Sequence, residues 1–438
     1  MVGLFFLPTV APSHAQDRAA PMDFQGRYLV SISDADMVAS AYVNRFLGPR
    51  EGRDALSVIP LGGHVRELQA YEVEASNSVA GPPVAVVVTP DGCYAMVIET
   101  WGPRPDGSED TQTFADLSHG NRLQVFDLAN PTEPTLVQDV AIAERPDSIS
   151  INSDGSLIAL SFHPSGAGSE TPLAIIPFND GQLGEPVYPS LSGFTLGQRI
   201  IHAEWHPSQN VLVLVNETSA EVSFVQVMPQ GNGWQLQPWG NVVKAEKAPY
   251  MARFTPDGRY VIVNGLYWGA DVEGLWSEAP RGSIVSIRLA AGTQADGTPR
   301  HGLVSRAMTG VSPEGLAISP DGRYVVTTNL ERSYLPYDDS RITWFSSLSL
   351  ITLDPQTGQL RHVGDYPYDG ILPEAAAFDA SGQYLAVANY DHFDDRIQGG
   401  SIDFWRIAAD PLDPQPMLVQ TRYSVPVTRG AHSMVLVP

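Results

Sequence analysis

The chain has 438 residues, of which 43% are apolar, 9% aromatic and 17% charged, a composition typical of a globular protein with ample material for a core. The formal net charge of −23 disfavours binding to nucleic acid, because a polyanion would be repelled over most of the surface. The one cysteine, Cys93, excludes an intrachain disulfide and any multi-cysteine metal site.

The N-terminus carries the pattern of an export signal. Residues 3–10 form a short apolar run, and a small-x-small cleavage pattern follows it and ends at Ala15. We therefore predict a signal peptide over residues 1–15, a flexible stretch over residues 16–23, and a secreted or periplasmic protein. No later segment reaches the roughly 18 uninterrupted apolar residues that a membrane-spanning helix requires.

One unit then recurs along the chain: a short apolar strand, a turn of the Pro-Asp-Gly type, and a second apolar strand. Runs of five or six residues rich in valine and isoleucine are typical of strands buried on both faces, and Asp-Gly supplies the positive φ that a tight hairpin needs. The spacing between units leaves room for four strands each, the content of one propeller blade. The six copies begin at Pro83, Pro146, Ile201, Pro249, Pro313 and Pro373.

The two ends of the chain each carry half of a seventh unit. Residues 431–438 read as an inner strand that stops where the turn should begin, and residues 24–33 supply a glycine turn and a second strand. Joining them would close the ring and remove exposed sheet edges. The sequence therefore predicts an all-β fold over residues 24–438: a seven-bladed β-propeller of four-stranded antiparallel blades, closed by pairing of the N-terminal strands with the C-terminal strand.

The repeated unit resembles that of the YVTN-type propellers and their seven-bladed lactonase-like relatives, which include bacterial 6-phosphogluconolactonase. Several copies close on an asparagine, as the second strands of that family do. This resemblance implies that histidine, arginine and acidic residues of the inner strands assist water attack on a lactone. The best local match is His202, with Arg253 and Glu314 as its partners, and these three are the predicted catalytic residues. The closing asparagines are Asn216, Asn264, Asn329 and Asn389.

The inner strands of a propeller all run the same way, so the residues that open them should converge at one mouth of the central channel. Five of these seven residues are ionisable or able to bind a metal, which indicates a ligand-binding ring. A cation bound there would be Ca²⁺ rather than zinc, because carboxylates outnumber imidazoles. The alternative is a solvated mouth without a ligand. The seven residues are Val84, Asp147, His202, Tyr250, Glu314, Glu374 and His432.

Long loops should open on the same face, where function is often placed. They carry three further candidate ligand-binding residues, Trp101, Trp268 and Arg332, although the aromatic side chains could equally fix the loops by packing. Asp391, Asp394 and Asp395 resemble part of a calcium loop by their spacing and are the candidate metal ligands. The loops span residues 34–53, 101–121, 266–281, 330–346 and 390–399.

Two functions from different classes follow. The first is an exported propeller that binds a small molecule, a protein or a polymer through its loop face and channel mouth, with a bound cation as an added element. The second is a lactonase-like hydrolase acting on a lactone or other cyclic ester. In both cases we expect a monomer without a nucleic-acid partner and without a membrane span.

Overall fold

The computed structural model describes residues 22–63, 65–77, 84–166, 172–231, 233–267, 280–409 and 415–438. In these residues the strands form seven antiparallel sheets, and the predicted all-β, seven-bladed propeller is confirmed. The predicted signal peptide lies outside the described residues. No helix among those described is long and apolar enough to cross a membrane.

Each blade is a meander whose strands follow one another from the channel outwards. The first part of the chain contributes β1 (Tyr28–Ser33), β2 (Ala55–Pro60) and β3 (Tyr71–Glu74) to the closing blade. Blade 1 contains β4 (Val86–Val88), β5 (Tyr94–Ile98), β6 (Arg122–Asp127) and β7 (Thr135–Ala141). Blade 2 contains β8 (Pro146–Ile151), β9 (Leu157–Phe162), β10 (Leu173–Asn179) and β11 (Gln182–Leu183). Blade 3 contains β12 (Ile200–Trp205), β13 (Val211–Asn216), β14 (Glu221–Gln230), β15 (Gly233–Pro238) and β16 (Val243–Lys244), which pairs with β14.

The remaining blades have longer outer strands. Blade 4 contains β17 (Pro249–Phe254), β18 (Tyr260–Gly265), β19 (Arg281–Thr293) and β20 (Pro299–Val311). Blade 5 contains β21 (Pro313–Ile318), β22 (Tyr324–Asn329), β23 (Ser346–Leu353) and β24 (Leu360–Tyr368). Blade 6 contains β25 (Ile371–Phe378), β26 (Tyr384–Asp391), β27 (Gly400–Ala409) and β28 (Pro416–Val427), and β29 (Ala431–Val437) completes the closing blade. The helical segments among the described residues are α1 (Ala41–Asn44) and two 3₁₀ turns, Val65–Glu67 and Phe114–Asp116.

In three blades the aspartate of the recurring turn fixes the inner hairpin. In blade 4, Asp257 Oδ1 accepts hydrogen bonds from the Thr255 hydroxyl at 2.7 Å and from the Arg259 amide at 3.1 Å. Gly258 follows with φ of +69°, a left-handed conformation that glycine adopts without steric cost. The same arrangement recurs at Asp91 in blade 1 and Asp321 in blade 5. A short local motif therefore sets the register of the strands on either side.

Pairing of β1 with β29 closes the ring, as predicted. The two strands are in register from Tyr28 opposite Val437, and β1 pairs with β2 on its other side. The inner strands pack in succession, β4 on β8, β8 on β12, β12 on β17, β17 on β21, β21 on β25, β25 on β29 and β29 back on β4. Along β1, Leu29 contributes to the apolar cluster shared with blade 6, while Val30 and Ile32 contribute to the cluster shared with blade 1.

A separate apolar cluster lies outside the blades and joins four long loops; we call it the loop cluster. It includes Met37 and Leu47 from the loop after β1, Leu117 from blade 1, Leu335 from blade 5 and Tyr390 at the end of β26. Backbone hydrogen bonds add to it, since the Leu47 amide donates to the carbonyl of Gln112 at 2.7 Å. The loops therefore meet on one face, as predicted. Residues 268–279 of the blade 4 loop lie outside the described residues.

The closure predicts where stability is concentrated. Ile32→Ala, a fully buried change on β1, should lower the free energy of unfolding by about 2–5 kcal/mol because it leaves a cavity where sheets pack. Val137→Ala on the outer strand β7, where the side chain is 44% exposed, should cost less than about 1 kcal/mol. Urea unfolding followed by circular dichroism measures both changes. Deletion of residues 24–34 should remove cooperative unfolding altogether, and an unchanged thermal midpoint would contradict closure.

Candidate active site

The seven residues predicted to open the inner strands are found at the starts of those strands. All seven are buried except Tyr250, which is half-buried. Three of them form the centre of the candidate site: Tyr250 on β17, Glu314 on β21 and Glu374 on β25. The other four lie on the remaining inner strands or directly before them.

Two buried carboxyl groups, Glu314 and Glu374, each contact a tyrosine hydroxyl. Tyr250 Oη donates to Glu314 Oε1 at 2.8 Å, and Tyr42 Oη donates to Glu374 Oε1 at 3.3 Å. Glu374 Oε2 is buried and has no hydrogen-bond partner among the described residues. A buried oxygen without a partner is uncommon and indicates a place for water or a polar ligand. Tyr42 belongs to α1, so the loop after β1 reaches across the mouth to this site.

Burial raises the pKa of both carboxyl groups. It raises the pKa of Glu314 to about 8, with the Tyr250 hydrogen bond opposing the rise. Burial also raises the pKa of Glu374 well above its usual value, and the adjacent charge of Glu314 raises it further. The two carboxyl groups therefore lie close enough to repel when ionised. Pairs of titratable groups whose pKa values are shifted in this way can exchange protons with a substrate.

Arg199 brings positive charge to the other side of the mouth. Its guanidinium forms two hydrogen bonds of 2.8 Å with the fully buried Asp147 and a third, of 3.2 Å, with Glu217. Burial raises the pKa of Tyr250 well above its usual value, as does the charge of Glu314, whereas the charge of Arg199 lowers it. Arg199 therefore lies close enough to Tyr250 for its charge to act on the hydroxyl. The bidentate contact fixes the orientation of the guanidinium, whose side chain is 18% exposed.

Three half-buried side chains lie near Arg199: Arg145, Trp101 and His163. The Arg145 guanidinium lies over the ring of Trp101, 4.3 Å from its centre, and donates to the Ser165 hydroxyl at 2.7 Å. Burial lowers the pKa of the neighbouring His163 to about 4, so this imidazole is neutral at pH 7. Trp101, predicted to bind a ligand, packs against an arginine.

The predicted catalytic pair His202 and Arg253 lies between blades 3 and 4. His202 Nδ1 accepts from the Ala252 amide at 3.1 Å, and burial lowers its pKa well below the usual value. Arg253 forms an ion pair with Glu204, whose Oε1 also accepts from the Phe254 amide at 3.2 Å. Glu314, their expected partner, hydrogen-bonds Tyr250 instead. The three predicted catalytic residues are therefore divided between an inter-blade contact and the carboxyl pair.

His432, another predicted ligand-binding residue, is buried on β29. Its Nδ1 lies 2.8 Å from the carbonyl oxygen of Gly430, a contact that requires a hydrogen on Nδ1. Burial lowers its pKa to about 4. The ring is neutral at pH 7, so Nε2 presents a lone pair, and this atom has no partner in the described part of the chain.

One group of three carboxylates satisfies a geometric criterion for metal binding among the described residues. Oxygen atoms of Asp34, Asp36 and Asp54 lie within 4.8 Å of one another at the base of the loop after β1. Backbone amides already donate to all three: Asp36 to Asp34, Ala35 to Asp54, and Arg104 to Asp36. These hydrogen bonds hold the start of the loop against the loop of blade 1 that carries Arg104. Sequence analysis did not single out this group.

The candidate metal ligands on the blade 6 loop have other contacts. Asp394 forms an ion pair with Arg396 at 2.6 Å, and Asp391 Oδ1 accepts from the amide of His392 at 2.8 Å. Among the described residues, Asp391, Asp394 and Asp395 do not bring three ligand atoms close enough together to hold a metal ion. Of the other candidate ligand-binding residues, Arg332 is half-buried, with its amide bonded to Thr343 at 2.8 Å, and Trp268 lies outside the described residues.

Sequence reasoning missed Tyr42 and Arg199. Arg199 stands directly before β12 and three residues before His202, so the sequence signal was an arginine close to a strand start. Tyr42 is 332 residues away from Glu374 along the chain, and its short helix carries no repeat signal. The available signal was only that the loop after β1 is long and opens on the functional face.

The fold and the site together define a seven-bladed β-propeller with a carboxyl pair and an arginine at one mouth of its channel. A family model described as lactonase, 7-bladed beta-propeller, matches residues 308–394, which include Glu314 and Glu374. The resemblance to lactonase-like propellers is thereby confirmed. A search of curated proteins finds no significant match.

Solved structures of similar fold cover nearly the whole chain. The periplasmic gluconolactonase from Pseudomonas aeruginosa is 16% identical, with a TM-score of 0.58 over 94% of this chain and 99% of that one. A candidate 6-phosphogluconolactonase from Bacteroides uniformis is 15% identical, with a TM-score of 0.57 over 94% of this chain and 100% of that one. A Lactobacillus plantarum protein is 13% identical, with a TM-score of 0.59 over 94% and 100%. At these identities the likeness shows the fold alone.

The carboxyl pair predicts a pH-dependent stability. Because the folded-state pKa of Glu314 is raised from 4.5 to about 8, its stabilising contribution is present below the unfolded value and is lost as the pH rises through 8. Glu314→Gln stays neutral, so its unfolding free energy relative to the native sequence should increase by at least about 1 kcal/mol between pH 6 and pH 9. Urea unfolding at both pH values measures this difference. The exposed change Glu185→Gln should show none, and an equal response of the two variants would contradict the raised pKa.

Proposed function

We propose that this protein hydrolyses a small cyclic ester of the lactone class at the mouth of its channel. The observation that carries the proposal is the buried pair Glu314 and Glu374, with raised pKa values, a tyrosine on each carboxyl group and one oxygen without a partner. The lactonase family match over residues 308–394 includes both carboxylates and supports the same class.

Lactone hydrolysis needs a base and an acid. Water adds to the carbonyl carbon and gives up a proton, and the ring C–O bond then breaks as its oxygen gains one, which leaves a hydroxy acid. Glu314, whose pKa burial raises to about 8, takes the proton from water once it is ionised, and Glu374, whose pKa is raised well above its usual value by burial and by the charge of Glu314, supplies the proton to the ring oxygen. Arg199, held by Asp147, stabilises the negative charge that develops on the carbonyl oxygen.

The surroundings favour an unphosphorylated substrate. Arg199 already faces two carboxylates, Asp147 and Glu217, which compensate its charge and disfavour a doubly charged phosphate group. The half-buried Tyr250 and the Trp101–Arg145 stack offer aromatic surface and hydroxyl or guanidinium donors to a sugar ring. An aldonolactone has this chemistry, and the similar Pseudomonas aeruginosa protein is a gluconolactonase.

The test is hydrolysis of gluconolactone followed by pH-stat, with the spontaneous rate subtracted. Glu314→Gln and Glu374→Gln should each lower kcat/KM by about 100-fold or more, since each removes a proton-transfer group. The native rate should rise with pH through about 8, where Glu314 ionises, and this rise should be absent in Glu314→Gln. Glu246→Gln is a matched control, because Glu246 is also buried with a raised pKa but pairs with Arg306 on the outer strand β20.

The outcomes separate the alternatives. Loss of turnover in His202→Ala with an unchanged thermal midpoint, while Glu314→Gln and Glu374→Gln stay active, would overturn the carboxyl-pair assignment in favour of His202. Binding of gluconolactone without turnover in the native protein would favour a ligand-binding propeller. That second function has its own support in the orphaned buried atoms His432 Nε2 and Glu374 Oε2, which suit a polar ligand or a cation as well as they suit catalysis.

We also propose that the chain is exported. The apolar run and the cleavage pattern that ends at Ala15 support processing by a signal peptidase. Expression in a Gram-negative host should yield a periplasmic form whose N-terminus, read by mass spectrometry of the intact protein, is Gln16. Ala15→Arg should block this cleavage without changing synthesis of the precursor. Recovery of the unprocessed chain in the cytoplasm for both forms would contradict export.

A further inference from the structure

Three aromatic side chains form a row on the loop face. We call this row the aromatic shelf. Tyr337 and Trp344 belong to the blade 5 loop and Phe393 to the blade 6 loop. Neighbouring ring centres are 5.3 and 5.4 Å apart, with the ring planes tilted by 41° and 50°. Tyr337 is 51% exposed and Trp344 is 56% exposed, although tryptophan is usually well buried.

The shelf is held in place from below. Phe393 packs against the loop cluster, whose buried members include Leu335 and Tyr390. Within the blade 5 loop, Thr343 Oγ1 accepts from the Arg332 amide at 2.8 Å, and the Ile342 amide donates to the carbonyl of Asp339 at 3.1 Å. A surface fixed in this way loses little conformational entropy when a partner binds.

Carboxylates outnumber arginines in the two loop segments that carry the shelf. Residues 337–345 and 391–397 contain five aspartates and two arginines. Both arginines already form ion pairs, Arg341 with Asp339 and Arg396 with Asp394. Asp338, Asp391 and Asp395 have no ion pair with any described residue. Burial raises the pKa of the Tyr337 hydroxyl, and the nearby charges of Asp391 and Asp395 raise it further, which locates both carboxylates beside the shelf.

We propose that the aromatic shelf docks a basic, arginine-containing peptide segment of a partner protein. Guanidinium groups stack on the faces of tryptophan and tyrosine and pair with carboxylates, so one type of side chain satisfies both chemistries of the surface. A row of three rings offers more surface than one small cation covers, and rings that lie side by side do not enclose an ion as an aromatic cage does. The net charge of −23 adds a long-range attraction for the same partner. This inference is independent of hydrolysis at the mouth.

The test is binding of a fluorescein-labelled (Gly-Arg)₄ peptide to the full chain, followed by anisotropy at 20 and 150 mM salt. Because the whole surface is acidic, the decisive comparison is between variants. Trp344→Ala and Tyr337→Ala should each weaken binding by about fivefold or more at 150 mM salt, as expected for loss of a cation–π face. Trp344→Phe should recover part of the affinity. Asp338→Asn combined with Asp395→Asn should weaken binding and lower its salt dependence.

Matched controls separate docking from general attraction. Leu196→Ala removes an apolar side chain that is 77% exposed elsewhere, and Glu185→Gln removes one exposed charge, so both should bind as the native protein does. Equal affinity of Trp344→Ala, Tyr337→Ala and the native protein would overturn the proposal, because attraction would then be general. Binding of guanidinium ion alone that competes with the peptide at equal concentration would also overturn it, in favour of a small-cation site. The thermal midpoint of each variant, measured by circular dichroism, checks that the fold is retained.

Discussion

Hydrogen bonding between β1 and β29 joins residues at opposite ends of the chain, and the arrangement of every blade depends on it. Closing a loop of this length costs about 5 kcal/mol of chain entropy by the logarithmic scaling of loop closure. Burial of three aliphatic side chains on β1, Leu29, Val30 and Ile32, returns about 5–9 kcal/mol. The alternation of these side chains between two neighbouring blades means that one short strand stabilises both. The ring is thus closed by apolar packing on each side of β1 and not by the backbone ladder alone.

The closed ring determines the chemistry of the mouth. Because the inner strands are packed on all sides, carboxyl groups placed on them lose water, and desolvation shifts their pKa values upwards. On the side of blades 2 and 3 a carboxylate of the same kind, Asp147, is matched by Arg199. The mouth therefore combines carboxyl groups of raised pKa on one side with an ion pair on the other, a separation that follows from which inner strands have an arginine neighbour.

The fold could be predicted from the sequence because its signals are local. An aspartate, a glycine and two apolar runs define most of the hairpins within about fifteen residues, and the half-units at the two ends reveal the closure. The candidate site was accessible only in part. Glu314 and Glu374 could be found from their repeat positions, whereas the contact of Tyr42 with Glu374 depends on how a long loop folds over the mouth. The inter-blade contacts of His202 and Arg253 likewise depend on packing that repeat position does not encode.

The segment that closes the ring also delivers Tyr42, since α1 follows β1 by only a few residues. Because Glu374 lies on β25, the Tyr42–Glu374 contact can form only after most of the chain has been synthesised. β1 can pair with β2 early, but its other edge has no partner until six blades have been made and β29 follows. This order of synthesis delays the Tyr42–Glu374 contact until nearly the whole polypeptide is present, so an incomplete chain lacks it.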